Sequence, residues 1–330
     1  MPVPLSVLDL VPVREGSTSA DALRESVELA RVADRLGYTR YWFAEHHGMA
    51  SIASSAPEIL IEHIASATER IRVGSGGIML PNHTPLRVAE AFHTLEALHP
   101  GRIDLGIGRA PGTDPATSRA LRPFDAEQFP QQLQELQALS AQAYPAGHPF
   151  ATVRVIPGDV RLPPIWILAS SGATAAFAGV NGFGYGFARH FSTTPPGPPI
   201  RAYRDAFRPS GQFSAPHAVL GVSAICAPTE EEADFLASST DLVWVRRHRG
   251  ELLPIPSPED ASRYAYTPAE RAVIEANRAR HFVGTPAKVA GIIRSLVAET
   301  EADEVMVTCL IYGRAERLRT YELLAAEWGC

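Results

Sequence analysis

The feature that most narrows what this chain can fold into is its periodicity. Short apolar runs alternate along its length with longer segments whose apolar residues recur at helical spacing. A short run bounded by turn residues suits a buried parallel strand, and an amphipathic segment suits a helix laid over it. The alternation is therefore the signature of a parallel sheet covered by helices. Eight runs are found, at residues 5–11, 41–45, 71–80, 103–107, 165–169, 185–188, 219–227 and 304–311. After the first, Leu23, Val27, Ala30 and Leu36 mark one helical face over residues 20–36, and Gly37 supplies a C-terminal stop. Further helices are expected at 57–68, opened by Pro57, and at about 86–98. Eight strands with intervening helices point to closure as a (β/α)8 TIM barrel with loop insertions. The alternation leaves an open doubly wound sheet as the alternative. A chain of 330 residues falls within the range that such barrels occupy as one unit, so a single domain over 1–330 is expected.

Composition excludes several classes of function. The net charge of −6 and the scattered arginines offer no cationic field for nucleic acid. No segment has the uncharged length needed to span a bilayer, and the apolar stretch 1–13 lacks a basic leader, which reads as the first strand of a cytoplasmic protein. Cys226, Cys309 and Cys330 lie far apart without CxxC spacing, which fits a reducing compartment. The one lysine, Lys288, falls in a helical pattern, leaving no candidate for Schiff-base chemistry and no Walker-type loop. Residues 110–124, 148–164 and 249–284 form long connections. The last carries Pro254, Pro256 and Pro258 with a helical stretch at 268–280, and is expected to be a lid.

In parallel βα folds the ligand site forms beyond the C-terminal ends of the strands, so polar residues just after an apolar run carry most weight. These are Glu45-His46-His47, Gly76-Gly77 with Asn82-His83, Arg109, Ser170-Ser171-Gly172 and Arg189-His190. Adjacent His46 and His47 would point to opposite faces of an extended strand, which argues against a shared metal ion; proton transfer or a structural hydrogen bond remains open for His46. The run 106–112 imitates a dinucleotide fingerprint, but its third glycine is displaced and Pro111 and Pro115 break the helix that should follow. Arg109 keeps its charge at any working pH and has small neighbours, which suits an anion such as phosphate or a surface ion pair. Ser170, Ser171 and Gly172, where strand gives way to helix, suit the same phosphate or a simple N-cap. Gly76-Gly77 allows close backbone approach by a flat ring, or forms a bulge.

Three longer stretches carry a resemblance: Arg40-Tyr41-Trp42-Phe43-Ala44-Glu45-His46-His47, Ile71-Arg72-Val73-Gly74-Ser75-Gly76-Gly77-Ile78-Met79-Leu80-Pro81, and Gly101-Arg102-Ile103-Asp104-Leu105-Gly106-Ile107-Gly108-Arg109. Continued by Ala110-Pro111-Gly112-Thr113-Asp114 and Val283-Gly284-Thr285-Pro286, they resemble the bacterial luciferase-like monooxygenases, closest to single-chain members of secondary metabolism. The resemblance implies a barrel that binds FMN non-covalently. Reduced flavin would come from a separate NAD(P)H:flavin reductase, and O2 would be captured as a C4a-peroxyflavin to oxidise a small organic substrate. It implies His46 as the active-site histidine, Gly76-Gly77 as a non-proline cis peptide under the ring, and Arg109 and Ser171 as phosphate ligands. Glu45, Ser170 and Gly172 are expected beside the cofactor, and His83 and His190 in the substrate pocket. Ser170 stands where luciferase has glutamate, and Gly108 where it has a reactive cysteine, departures that count against light emission. A homodimer is expected through helices near the second and third strands, with Ile59, Ile61 and Leu95 at the contact. Oxidoreductases of the same superfamily that use the deazaflavin F420, a non-catalytic flavin-binding protein and a metal-dependent barrel hydrolase are the alternatives.

Overall fold

The structure, a computed structural model, describes residues 3–122 and 125–329. Phe124, at the end of the first long connection, and Cys330 lie outside them. The strands are β1 (Leu5–Asp9), β2 (Arg40–Phe43), β3 (Arg72–Ser75), β4 (Ile78–Met79), β5 (Ile103–Gly108), β6 (Ile165–Ala169), β7 (Gly184–Ala188), β8 (Ala218–Cys226), β9 (His281–Gly284) and β10 (Glu304–Thr308). The helices are α1 (Ser19–Leu36), α2 (Pro57–Ala67), α3 (Pro85–Leu98), α4 (Pro115–Leu121), α5 (Phe129–Ser140), α6 (Ala175–Val180), α7 (Gly197–Ala206), α8 (Glu230–His248), α9 (Pro258–Arg263), α10 (Pro268–Arg278), α11 (Pro286–Thr300) and α12 (Arg314–Trp328). All strand pairings are parallel, and β10 bonds to both β1 and β8, so the sheet closes into an eight-stranded TIM barrel. The open sheet is thereby excluded.

Two departures from the expected strands bear on function. The third run is divided at Gly76–Gly77, which are joined by a cis peptide, so β3 and β4 pair with β5 as two pieces around a corner. The other departure is β9, for which no apolar run stood out. It pairs with the C-terminal half of β8, Ser223 facing His281, while the N-terminal half of β8 holds β10. The segment 249–284 is thus more than a loop. It contains α9, α10 and β9, and Tyr264, Tyr266 and Ile274 pack on a small core of Leu242, Val245 and Ala261.

Local signals explain where the elements begin and end. Thr18 and Asp21 form a capping box at the start of α1, and Gly37 ends that helix with φ +84. The barrel interior is filled by Leu8, Trp42, Trp166, Val219 and Met306, with the two indoles edge to face at 5.4 Å. Such large rings fit because neighbouring strands carry glycine. A Cβ at Gly184 would run into the Trp166 ring, and one at Gly74 would lie 2.8 Å from Trp42 Nε1.

Below the indoles, at the N-terminal ends of the strands, a buried ionic cluster closes the barrel floor. Arg40 donates from Nη1 to Asp104 Oδ2 at 2.8 Å and from Nε to Glu304 at 3.0 Å. Arg72 Nη2 reaches Asp104 Oδ1 at 2.6 Å, and His217 Nε2 and the Ser6 hydroxyl bond to Glu304. Neither carboxylate is left to face an apolar wall, which is the condition for burying charge at all. Among the described residues no helix is long and apolar enough to cross a membrane.

Candidate active site

The loops that leave β2, β3/β4 and β5 converge on one rim of the barrel. Glu45, two residues beyond β2, is buried, and both of its oxygens are occupied. Oε1 accepts from His47 Nε2 at 2.8 Å and Asn82 Nδ2 at 3.1 Å; Oε2 accepts from the Met79 N–H at 2.8 Å, and His83 Nε2 lies 3.0 Å from each oxygen. Burial alone would raise the Glu45 pKa, but the donors from His47, His83 and Met79 outweigh it and hold the carboxyl at about 2. His83 gains the complementary shift. Burial opposes its charge, yet its contact with Glu45 raises its pKa above the ordinary histidine value.

His46 is tied to a different group. Its Nδ1 lies 3.0 Å from the Gly112 carbonyl, which can only accept, so Nδ1 carries the proton and Nε2 keeps a lone pair. Burial, reinforced by the nearby Arg247 cation, lowers the His46 pKa and keeps the ring neutral at physiological pH. The loop carrying Gly112 is itself clamped: Asn82 Nδ2 donates to the Pro111 carbonyl at 2.9 Å, and Thr113 Oγ1 to the His47 carbonyl at 2.7 Å. Gly112 sits at φ +69 with the Glu45 carbonyl only 2.8 Å from where a Cβ would be. A single hydrogen-bonded unit therefore runs from Glu45 through Asn82 to the loop that orients His46.

The cis Gly76–Gly77 peptide lies beside this unit. The Gly76 N–H donates to the Phe43 carbonyl at 2.6 Å, and Ser75 Oγ to the Gly106 carbonyl at 2.7 Å. Side chains are excluded here, because a Cβ at Gly76 would meet Leu8 at 2.6 Å and one at Gly77 the Gly106 carbonyl at 2.7 Å. At Gly108 the space of a side chain is taken by the Met79 sulfur, 2.6 Å from where a Cβ would lie. Arg109 follows β5 and is exposed, with no ion pair among the described residues. The pairing of Gly108 with Leu168 sets Arg109 beside the end of β6, where Ser170, Ser171 and Gly172 follow. Adjacent strands lie about 4.8 Å apart, so one anion can reach both ends. Ser171 precedes a short 3-10 turn without capping it through its side chain, and the Ser170 carbonyl accepts from Ser192 Oγ at 2.6 Å.

His190 comes from the end of β7, with its ring against Gly221, where a Cβ would lie 3.2 Å from Nδ1. Burial, with His46 and Arg189 nearby, pushes its pKa down to about 4. Sequence reasoning missed four residues on the same side: Trp244 and Arg247 of α8, Arg280, and His281 of β9. Trp244 and Arg247 stand three apart on a helix, a spacing that can be read from the sequence, but nothing there tells which helical face meets the rim. Two expected interface residues also lie elsewhere: Ile61 and Leu95 are buried against the barrel, and only Ile59 of that set is exposed.

Comparison with known proteins agrees with this arrangement. The profile of the luciferase-like monooxygenases matches residues 3–304. The chain is 40% identical over 324 residues to a luciferase-like monooxygenase of Escherichia coli (strain K12), covering 97% of this chain and 96% of that one. It is 34% identical to the N-acetyl-S-alkylcysteine monooxygenase of Bacillus subtilis (strain 168), covering 97% of each. The crystal structure of apo-MsnO8 superposes with a TM-score of 0.89 at 36% identity, covering 99% of this chain and 98% of that one. Structures that share the fold alone include an FMN-bound type II Baeyer-Villiger monooxygenase at 19% identity and an F420-dependent secondary alcohol dehydrogenase at 14%. With the barrel, the split third strand and the profile match in agreement, the chain belongs to the luciferase-like monooxygenase family.

Proposed function

We propose that the protein is the oxygenating component of a two-component system, taking reduced FMN from a separate NAD(P)H:flavin reductase and inserting one atom of O2 into a small organic substrate. The observation that carries this reading is the pairing of a flat, side-chain-free floor at Gly76–Gly77 with a free cation, Arg109, on an adjacent strand end. Reduced FMN, when bound, supplies the electrons that activate oxygen. Arg109, the Ser171 hydroxyl and the Gly172 backbone hold its phosphate, with Ser170 at the same strand end. His46 Nε2 takes a proton and returns it. Glu45 and His83, expected beside cofactor and substrate, act as positioning residues, because the Glu45 carboxylate is committed to its donors and His83 Nε2 to Glu45. The segment 249–284, packed on α8 and joined to β8 through β9, serves in this reading as a lid that excludes water.

Arg109→Ala is expected to weaken FMN binding by about tenfold to a hundredfold, the scale of a lost charge-assisted contact of roughly 1.5–3 kcal/mol. Riboflavin, which lacks the phosphate, should bind the variant and the wild type alike. Equal losses for both ligands in a fluorescence titration would remove Arg109 from the phosphate site.

The molecule is further proposed to pair with a second copy. Ile59 of α2, Leu98 of α3 and Ile156 are 66%, 59% and 64% exposed and line one groove with Glu58, Glu62 and Arg87. Light scattering at micromolar concentration should give the mass of a dimer, and Ile59→Glu should give a monomer. A wild-type monomer would reject the interface.

A further inference from the structure

We propose that the corner between β8, β9 and α8 binds an anionic oxygen group, a carboxylate, carried by the organic substrate. Buried polar atoms in folded proteins nearly always have a partner, so those left over mark where a ligand completes the set. His281 is only 8% exposed; its Nδ1 lies 2.7 Å from Ser223 Oγ, and its Nε2 has no partner among the described residues. Arg280, next to it, bonds to Asn277 through Nη2 and leaves Nε, an obligate donor, without an acceptor. Trp244 stands edge to face with His281 at 5.8 Å, and the Arg247 guanidinium lies 5.3 Å over the Trp244 ring. The Arg247 guanidinium has no ion pair or hydrogen bond among the described residues.

Cations outnumber carboxylates around this corner. The charged groups that act most on His46, His190 and His281 are Arg189, Arg247, Arg278, Arg280, the imidazoles themselves and the Glu45 carboxylate. Glu45 is saturated by its own donors, and Arg278 is paired with Asp241 at 2.8 Å and Asp234 at 3.0 Å. Arg189 spends both terminal nitrogens on the Ala279 and Arg280 carbonyls. Arg247 is thus left without a carboxylate partner near His46, and it and the orphaned His281 imidazole both contact the Trp244 ring. A neutral substrate would leave both unanswered; a carboxylate answers both and lays its apolar remainder along Trp244. The corner is separate from the Arg109 rim, which belongs to β5 and β6.

This inference rests on the rim being the oxygenation site, so its test reads binding instead of turnover. Aliphatic carboxylates of rising chain length, a thioether acid such as N-acetyl-S-butylcysteine, and the matching primary amides are titrated calorimetrically into the FMN-loaded protein. The acids should bind at least about tenfold tighter than their amides, and Arg247→Ala should remove that preference while leaving the amides and FMN unaffected, the loss expected for one charge-assisted contact. Arg247→Lys should restore part of it. Acids and amides binding alike, no acid binding at all, or a loss of FMN affinity in Arg247→Ala would overturn the proposal. Selective acid binding without oxygen transfer would leave the corner standing and end the oxygenation reading; oxygenation of amides as readily as acids would do the reverse.

Discussion

His46→Ala is expected to bind FMN and to consume reduced flavin with O2, yet to lose about 10²–10⁴ in product formation, the usual cost of removing a general acid or base. The effect follows from one tautomer. Gly112 fixes the proton on Nδ1, and burial keeps the ring neutral, so Nε2 is free to accept a proton. Without it the activated oxygen should leave as hydrogen peroxide, which a peroxide assay reads directly. The competing account is that His46 merely holds the 109–114 loop in place. His46→Asn separates the two, because it retains a donor near the Nδ1 position but has no titratable nitrogen. Product per reduced FMN, measured at saturating FMN, should be low in both variants. If Asn restores the wild-type yield, His46 is structural.

The second large effect concerns stability. Asp104→Ala should destabilise the fold by about 3–5 kcal/mol, because it leaves Arg72 without an ion pair and Arg40 with Glu304 as its one remaining carboxylate under the barrel. Urea denaturation of a variant only mildly affected would show that water reaches the cluster. The same carboxylates set an acid limit. Burial works against their ionisation, but Arg40 and Arg72 hold Asp104, and His217 and Arg40 hold Glu304, below their ordinary values. A depressed folded-state pKa gives stability that is fully present above the unfolded-state values, near pH 4, and is lost as pH falls further. The wild type should therefore lose stability steeply below about pH 4, and Asp104→Ala less steeply.

These two sites also show how far the sequence could be read. The rim was legible because a polar residue after an apolar run is an interruption with a position, and Gly76-Gly77 and Arg109 lie where that pattern placed them. The floor was not, since Arg40, Asp104 and Glu304 are the first or second residues of their strands, and a search beyond strand ends passes over them. Glu45 illustrates another limit. Its partners Met79, Asn82 and His83 come from the far side of a corner made by the cis peptide, so its saturation depends on tertiary geometry that no spacing encodes. β9 escaped because four residues, with a charged helix before and Gly284 after, are too short to display a period. Ile61 and Leu95 were apolar on helices whose two faces both carry apolar residues, and periodicity alone did not tell the barrel-facing side from the outer one.

The central claim is that reduced FMN and O2 meet at this rim to oxygenate an organic molecule. It is tested most directly by mixing the protein with chemically reduced FMN and an organic acid that it binds under ¹⁸O2 in a single turnover, with no reductase present. The account predicts an oxygenated product carrying one ¹⁸O atom, formed with FMN but not with F420. Unlabelled product, or hydride transfer from reduced F420 without oxygen uptake, would contradict it.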